Sequence, residues 1–444
     1  MATIAASTAA PAANLPANPP ERQPTDWTTP AMQARIAGRY AKERNFRRLG
    51  AGALIVAAGF LAFLLFTIVR DGWSGFLRTE ARIEVQFDAA TLGVDPAQVA
   101  GPQGQALLAR ADWQALLLET AKQLGPANDQ LSDAAWTTLR DAVMADPALL
   151  GQRASLWVPV RSSIDLLAKG KFDLSAPADS RGVSDREVSD WRWLEGQGRL
   201  RTGFNSTFLG SADSTEPELA GIGGAALGSL LTLIVTIAIA FPLGVLSAVW
   251  LEEFAPKGRI ADIIELSINN LAAVPSIIFG LLGLAFFLNF AGMPRSAPLV
   301  GGITLALMIM PVIVIASRVA IKAVPPSIRD AALGIGASPI QVVFHHVLPL
   351  ALPGIMTGTI IGVARALGET APLLLIGMRA FVTDVPQGFT APATVLPMQV
   401  FLWSDDVQRG FVEKTSAAII VLLVVLIAMN SLAIYLRNRF ERRW

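Results

Sequence analysis

Long apolar runs dominate the pattern of hydrophobic and polar positions along the chain. Each run contains few charges, and together they cover residues 49–69, 221–251, 263–290, 299–320, 352–378 and 415–436. Each is close to or longer than the roughly 20 apolar residues that a helix needs to cross a bilayer. The pattern therefore predicts an α-helical polytopic membrane protein with six transmembrane helices, of which five follow one another within residues 221–436.

Residues 70–220, between the first two runs, have the mixed composition of a soluble domain. Apolar and polar side chains alternate over Arg82–Phe87 and Ser155–Val160, which predicts strands, whereas Gln103–Gln123 and Ser132–Met144 have the apolar spacing of helices. About 150 residues are enough to bury a hydrophobic core. We therefore expect an inserted α+β domain, and its scattered carboxylates predict no catalytic group within it.

The N-terminal segment 1–48 is polar and basic. Its first part is rich in Ala, Pro and Thr without periodicity, and arginine and lysine residues follow, so we predict disorder. The run at 49–69 resembles a signal peptide but is too long, and no small-residue cleavage site follows it. The sequence therefore predicts a retained first transmembrane helix.

Charge in the connecting segments predicts the orientation of these helices. Cytoplasmic loops usually contain an excess of lysine and arginine, and this excess falls in loops 252–262 and 318–351 and in the tail 437–444. The basic residues concerned are Lys257, Arg259, Arg318, Lys322, Arg329, Arg437, Arg439, Arg442 and Arg443. The prediction places both termini in the cytoplasm and the 70–220 domain on the opposite, extracytoplasmic side.

Composition agrees with a membrane protein and argues against several kinds of chemistry. The 444-residue chain is 52% hydrophobic and 16% charged, with a mean hydropathy of +0.49 and a net charge of +1, which does not indicate nucleic-acid binding. It has no cysteine, and its two histidines, His345 and His346, would point about 100° apart on a helix, a poor geometry for a shared metal ion. No Gly-x-x-x-x-Gly-Lys-Ser/Thr loop occurs. We expect no catalytic, metal or ATP site in this chain.

The segment 325–349, between the fourth and fifth runs, is too broken and polar to cross a bilayer, and we call it the elbow. Two prolines end the preceding helix, because proline lacks the N–H that would continue it. Two serines then stand at N-cap positions, each with a suitable partner three residues later, and two glycines separate them. In chain order these residues are Pro325, Pro326, Ser327 with Asp330, Gly334, Gly336, and Ser338 with Gln341. The pattern predicts two short helices joined at glycines, a docking feature at a membrane surface.

The fifth run contains two charged residues, Arg365 and Glu369, which are four positions apart and would share a helix face. Gly354, Gly358 and Gly362 recur every four residues, a stripe that lets a neighbouring helix approach closely. Both charges fall within about 20° of that stripe, so we expect them to face protein or a water-filled path. A self-contained ion pair is the alternative. Because a charge at membrane depth costs roughly 2.5–3.5 kcal/mol and guanidinium suits phosphate-like oxyanions, we favour an anion path in which Glu369 restrains Arg365.

Two further positions inside the runs are candidates for lining that path. Pro275 lies within Asn269–Gly280 of the third run and should kink its helix, and both packing and path lining fit this position. Arg318 lies at the inner end of the fourth run, where snorkelling to the interface and a second oxyanion contact both fit.

The elbow resembles the EAA loop of ABC-importer permeases. Asp330-Ala331-Ala332, three residues, Gly336, nine residues, and two residues before Leu348-Pro349 match that spacing, with Asp330 and His346 as departures from the usual residues. In that family the loop is the coupling helix, which rests in a groove of the ATPase subunit. The resemblance implies ATPase contacts at Ser327, Asp330, Ala331, Ala332, Gly336, Leu348 and Pro349.

Residues 205–440 are similar, more specifically, to the membrane subunits of the phosphate ABC importers. Val274–Gly283 and Ala364–Leu374 contain the matching motifs, and the second is similar to the A-type rather than the C-type subunit. Residues 70–204 resemble the large extra domain of some proteobacterial versions. The resemblance implies a non-catalytic permease of the bacterial inner membrane, with Arg318, Arg365 and Glu369 as the charged groups along the phosphate path.

The same resemblance implies partners and a cofactor held elsewhere. A C-type sibling permease would complete the pore, and a periplasmic binding protein would deliver inorganic phosphate. Two ATPase subunits would bind ATP and Mg²⁺, so this chain would hold no cofactor of its own.

Three other functions fit parts of the sequence. The substrate of an ABC permease could be another oxyanion, namely sulfate, molybdate or phosphonate. A gradient-driven secondary transporter is a second alternative, but residues 49–290 and 299–436 show no internal repeat. A membrane-anchored sensor built around residues 70–220 is a third, but it would not need charges inside the fifth run.

Overall fold

A computed structural model describes residues 27–99, 104–256 and 258–440. The disorder expected for residues 1–26 lies outside the described residues, as do Lys257 and the tail residues 441–444. The chain divides into one unit that ends at Leu65 and a second that begins at Phe66, and each is described by itself.

The first unit contains most of one long helix, α1 (Pro30–Gly72). The most apolar part of α1 has no buried residue, as expected for a helix that lipid would surround. The predicted disorder over residues 30–48 is wrong, because the helix already begins at Pro30. Proline suits the first helical position, and the Ala, Arg, Lys and Glu residues that follow have high helix propensity.

The second unit opens with the predicted α+β region. Strands β1 (Leu77–Gln86), β2 (Arg153–Pro159) and β3 (Leu200–Phe204) form an antiparallel sheet in the order β2-β1-β3. In register, Glu80 of β1 lies opposite Pro159 of β2 and Arg201 of β3. Strand β3 was not predicted, because it is a short edge strand whose mostly exposed residues give no alternation of apolar and polar side chains.

Short helices and 3₁₀ turns pack around this sheet. The helices are α2 (Ala89–Leu92), α3 (Pro96–Val99), α4 (Gly104–Leu108), α5 (Trp113–Ala121), α6 (Trp136–Ala145), α7 (Ser162–Ala168), α8 (Ala178–Arg181), α9 (Asp185–Gly196) and α10 (Ser206–Gly210). The helix predicted over 103–123 is split into α4 and α5, because Asp112 caps a new start by accepting a hydrogen bond of 2.9 Å from the backbone N–H of Ala115. The region has a hydrophobic core of its own, which includes Ile83, Phe87 and Leu139.

The membrane part follows from residue 223 onwards. Its helices are α11 (Gly223–Val249), α12 (Arg259–Ala272), α13 (Ser276–Leu282), α14 (Pro298–Lys322), α15 (Pro326–Gly334), α16 (Pro339–Gln341), α17 (Leu348–Gly368), α18 (Ala371–Leu375), α19 (Leu396–Ser404) and α20 (Arg409–Phe440). π-Helical segments extend α11 over Trp250–Phe254 and α13 over Gly283–Phe290, and join α16 to α17 over Val342–Val347. Within the described residues, five helices are long and apolar enough to cross a membrane, or six if the bent pair α12–α13 counts as one span.

The third predicted span is broken rather than kinked. Helix α12 ends at Ala272, α13 begins after Pro275, and the two axes differ by 102°. Pro275 is the extended N-cap residue of α13 (φ −56°, ψ 137°), and its ring disfavours a helical conformation at the residue before it, so α12 ends ahead of it. The third run therefore forms two arms that meet at Pro275.

Helices α14 and α17 pack closely along the glycine stripe of α17. A Cβ on Gly354 would lie 2.7 Å from the Cβ of Ala320, and one on Gly358 would clash with the Cβ of Ala316. Since only glycine leaves this space free, the two helices approach at near-backbone contact over these positions.

A buried ion cluster fastens the α+β region to the start of α20. The Lys169 ammonium donates to a carboxylate oxygen of Asp165 at 2.7 Å, to the Leu77 carbonyl at 2.8 Å and to a carboxylate oxygen of Glu413 on α20 at 2.9 Å. Only 3% of the Lys169 side chain is exposed. The carboxylates of Asp165 and Glu413 compensate the charge of the buried ammonium. The contact with Glu413 therefore fixes one way of packing the α+β region against α20.

An aromatic cluster extends the same junction to α19. The ring of Phe208 in α10 lies 5.4 Å from that of Phe76 and 6.3 Å from that of Trp403 in α19, measured between centroids. Trp403 in turn packs on Phe411 of α20 at 5.8 Å. The α+β region is therefore attached to α19 and α20 by an apolar core as well as by ions.

Glu218 lies buried at the same junction, and its Oε2 has no hydrogen-bond partner among the residues that the structure describes. Burial, with a smaller effect from the nearby carboxylates Glu216 and Asp165, raises the pKa of Glu218 to about 7. The folded state therefore holds a proton here between about pH 4.5 and 7 that the unfolded chain releases.

We expect Gly358→Ala to destabilise the protein although alanine is the better helix former. The new methyl group meets Ala316, and such overpacking costs about 1–3 kcal/mol. Gly59→Ala in α1 is the matched control, because a Cβ there meets nothing within 4 Å and should leave stability unchanged or raise it. The thermal unfolding midpoint in detergent measures both, and an unchanged midpoint for Gly358→Ala would contradict the close packing.

We expect Glu218→Gln to stabilise the protein increasingly as the pH rises from about 4.5 to 7, and to change nothing near pH 4. In the wild type, the Glu218 carboxyl ionises in the unfolded chain as the pH rises from about 4.5 to 7. This ionisation lowers the free energy of unfolding by at most about 3 kcal/mol. Glutamine removes this penalty, so the variant's unfolding midpoint should exceed that of wild type at pH 8 and match it near pH 4. The exposed Glu119→Gln serves as control, and a gain for Glu218→Gln confined to acidic pH would refute the assignment.

Candidate functional site

The elbow projects from the ends of α14 and α17. Its first helix is α15, as predicted, but its second is not a separate short helix. Helix α16, the π-helical segment and α17 run on as one candidate membrane span, Pro339–Gly368. The apolar residues of Val342–Val347 are partly buried and continue the helix into the membrane part. The elbow is therefore one helix and a glycine joint that lead directly into the fifth span.

Of the two N-caps predicted for the elbow, the structure forms the second but not the first. Pro325, rather than Ser327, occupies the N-cap position of α15, and no side chain caps that helix. Pro326 already fits the first helical position, so Ser327 and Asp330 lie inside the helix with exposed side chains and form no capping box. Ser338 and Gln341 do form one, with the Ser338 N–H donating to Gln341 Oε1 at 2.9 Å.

Four apolar side chains around the glycine joint are open to solvent, and we call them the elbow patch. The exposed fractions are 50% for Leu333, 83% for Ile335, 63% for Ile340 and 45% for Phe344. Gly336 turns the chain between them with φ +90°, a conformation that favours glycine. Leu333 and Ile335 lie outside the candidate spans, and Ile340 and Phe344 lie at the start of the fifth; grouped apolar exposure of this kind indicates a protein-binding surface.

The remaining predicted elbow residues differ in their exposure. Ala332 is buried, whereas Ala331 is exposed and Leu348 and Pro349 are half-buried. A cavity of about 780 Å³ separates the end of α14 from the start of the fifth span. Both histidines, His345 and His346, line it.

Arg365 and Glu369 are close to each other but are not on one helix face. Helix α17 ends at Gly368, and Glu369 is its extended C-cap residue (φ −83°, ψ 124°). Arg365 Nε lies 3.5 Å from Glu369 Oε1, and 47% of the Arg365 side chain is exposed. Ala366 beside it is buried, so the prediction that both charges continue the packing stripe is wrong. The guanidinium of Arg365 lies on an open face of the subunit.

Arg318 lies at the opposite end of the bundle and has two carboxylate partners. Its guanidinium donates through Nε to Glu252 and through Nη2 to Glu265 at 2.7 Å, while Lys322 Nζ lies 3.4 Å from Glu252. Only 11% of its side chain is exposed. The structure therefore places Arg318 in an ion-pair network rather than at a free interface position, and separates it from Arg365.

The sequence reasoning missed the acidic side of this network. Glu252 and Glu253 follow an apolar run directly and were not assigned partners, although adjacent carboxylates at a span end signal nearby cations. It also missed three buried polar groups. Thr232, Thr394 and Gln399 each have a side-chain atom that is buried without a hydrogen-bond partner among the described residues. For Thr232, a polar residue within the apolar run 221–251 was the available signal.

No group of three His, Cys, Asp or Glu side chains within the described ranges could hold a metal ion. The candidate site comprises the exposed apolar elbow patch, the paired Arg318 and the half-exposed Arg365. Such an arrangement can bind partners and anions.

Comparison with known proteins identifies the class. Residues 240–444 match the family described as binding-protein-dependent transport system inner membrane component, and residues 33–178 match a domain of unknown function (DUF3333). The chain belongs to this family of ABC-transporter permeases. It is a non-catalytic, multi-pass inner-membrane component without a cofactor, and the family description implies a binding protein and an ATPase as partners.

Individual relatives are more specific. The chain is 31% identical over 226 residues to the phosphate transport system permease protein PstA 1 of Mycobacterium tuberculosis, covering 50% of this chain and 72% of that protein. It is 30% identical over 267 residues to the probable ABC transporter permease protein YqgI of Bacillus subtilis, covering 58% of this chain and 88% of that protein. A chain of the inward-facing MetNI methionine ABC transporter matches with a TM-score of 0.39 and 20% identity, over 48% of this chain and 95% of that chain.

Proposed function

We propose that this chain is the PstA-type permease subunit of an ATP-driven importer of inorganic phosphate. It would form half of the translocation path, and a C-type sibling permease would form the other half. The observation that supports this most directly is the half-exposed Arg365 guanidinium in a chain similar to a phosphate permease named PstA 1. An open guanidinium at the end of a membrane helix is a suitable group for a phosphate oxyanion.

In this proposal the elbow and both termini face the cytoplasm. The positive-inside distribution of lysine and arginine supports that orientation, which puts the α+β region in the periplasm. A periplasmic phosphate-binding protein would then meet the side of the permease that bears α19 and the α+β region. The domain boundaries follow, with a permease core over 221–436 and the α+β domain within 70–220.

The elbow patch is the proposed contact with the ATPase. Leu333, Ile335 and Phe344 would insert into an apolar groove, and the exposed Asp330 would contact its polar rim. ATP binding would draw two ATPase subunits together. Because the elbow continues directly into the fifth span, its displacement would switch the path between outward and inward access.

Arg365 and Glu369 are the proposed anion contact along the path. The separation of 3.5 Å between Arg365 Nε and Glu369 Oε1 leaves the guanidinium free to turn its other N–H groups towards an anion. Glu369 would keep the anion affinity low enough for release. Arg318 would act at the cytoplasmic end, where the carboxylates of Glu252 and Glu265 now occupy it.

We expect Arg365→Gln to abolish most phosphate uptake without stopping ATP hydrolysis. Losing one charge-assisted hydrogen bond of about 1.5–3 kcal/mol predicts a decrease of about tenfold or more. The measurement is uptake of radiolabelled phosphate by vesicles that contain the full complex of both permeases, the ATPase and the binding protein, with ATP inside.

Arg379→Gln is the matched control, because Arg379 is an exposed arginine that follows the same span. Its uptake should equal that of wild type. Undiminished uptake by Arg365→Gln would eliminate the anion contact. If unlabelled sulfate, molybdate or phosphonate competes more strongly than unlabelled phosphate, that oxyanion rather than phosphate is the substrate.

A further inference from the structure

The last turn of α11 contains two adjacent carboxylates that bind different helices. Glu252 and Glu253 lie in the π-helical segment Trp250–Phe254, and adjacent residues on a helix point in different directions. Their side chains are 10% and 12% exposed, respectively. A buried pair of like charges is unfavourable unless each carboxylate has its own cation.

Glu253 binds the elbow through Arg329 of α15. Arg329 Nη2 donates to Glu253 Oε1 at 2.7 Å, and Arg329 Nε lies 3.2 and 3.3 Å from the two carboxylate oxygens. Such a two-pronged contact fixes the orientation of both side chains. The guanidinium also donates to the carbonyls of Val324 at 2.7 Å and Ile321 at 3.0 Å, at the end of α14. Arg329 therefore ties the elbow to α11 and α14 at once.

Glu252 binds the neighbouring helices through Arg318. Arg318 of α14 donates to Glu252 through Nε and to Glu265 of α12 through Nη2, the latter at 2.7 Å. Glu265 is 46% exposed, and α12 is the arm that precedes the break at Pro275. Two groups of ion pairs, joined by the backbone between Glu252 and Glu253, thus connect the elbow with α11, α14 and α12.

We propose that Glu252 and Glu253 form a charged joint that transmits displacement of the elbow helix α15 to α11 and α12. Both are positioning residues, since they act through Arg318 and Arg329. Neutralising Glu253 leaves Arg329 without its carboxylate and frees α15 from α11. Neutralising Glu265 releases only the α12 arm. The joint deepens the proposed function, because it requires an ATPase that moves the elbow.

The test follows the α12 arm directly, without reference to phosphate. The chain has no cysteine, so spin labels can be attached at Ile263→Cys on α12 and Ile361→Cys on α17, two exposed positions. Pulsed electron paramagnetic resonance then measures their separation in the full complex, with and without trapped nucleotide. In the protein that keeps Glu253, we expect the distance between the two labels to change when nucleotide is trapped. In the Glu253→Gln variant, we expect at least about half of that change to be lost.

Reversal of the ion pair distinguishes transmission from mere folding. The double variant Glu253→Arg with Arg329→Glu restores an ion pair of opposite polarity and should recover most of the change, whereas either single charge reversal should not. Glu119→Gln, on the α+β region, is the control and should behave as wild type.

Retention of the full change by Glu253→Gln would overturn the joint. If that variant fails to assemble, Glu265→Gln decides, since it leaves the elbow contacts intact. If Glu265→Gln loses the nucleotide-dependent change in label separation while ATP hydrolysis is retained, the proposal is supported. If the label separation still changes as in wild type, the proposal is refuted. Absence of phosphate uptake by the wild-type complex would instead refute phosphate as the substrate while leaving the label measurement valid.

Discussion

The close approach of α14 and α17 is the contact on which the membrane part depends. Gly354 and Gly358 leave space for Ala320 and Ala316, so the two helices meet nearly backbone to backbone. The elbow connects these same two helices. Because neither helix can separate from the other without opening a well-packed seam, a force on the elbow moves α14 and α17 together. A short docking segment can therefore act on a whole half of the bundle.

Charge is distributed to suit that arrangement. At the elbow end, arginines of α14 and α15 are bound by carboxylates of α11 and α12, which compensates their burial. At the other end of α17, Arg365 is only loosely paired and half-exposed. Paired charges join helices, whereas an open charge is available to an anion. At the start of α20 the buried Lys169 fixes the α+β region, so that region is attached rigidly rather than tethered.

The sequence predicted the parts of this molecule that depend on local pattern. Apolar run lengths gave the spans, and glycines at every fourth position pointed to the stripe that faces α14. The predictions from the sequence were wrong where the backbone is not helical at a position expected to be in a helix. Glu369 was placed on the face of Arg365 because periodicity does not reveal that α17 ends at Gly368. Ser327 was assigned an N-cap position that Pro325 occupies, and Arg318 was left unpaired because Glu252 and Glu265 reach it only through the tertiary fold.

The central claim is that the elbow patch is where an ATPase subunit docks, and a single cysteine tests it most directly. In the cysteine-free chain, Ile335→Cys labels the elbow patch and Gly203→Cys labels the exposed strand β3 of the α+β region. A heterobifunctional reagent, with a maleimide for this cysteine and a succinimidyl ester for lysine side chains of a neighbouring subunit, is added to the assembled complex. The account predicts that Ile335→Cys cross-links to the ATPase subunit and that Gly203→Cys does not. A cross-link to the ATPase from position 203 and none from position 335 would contradict it.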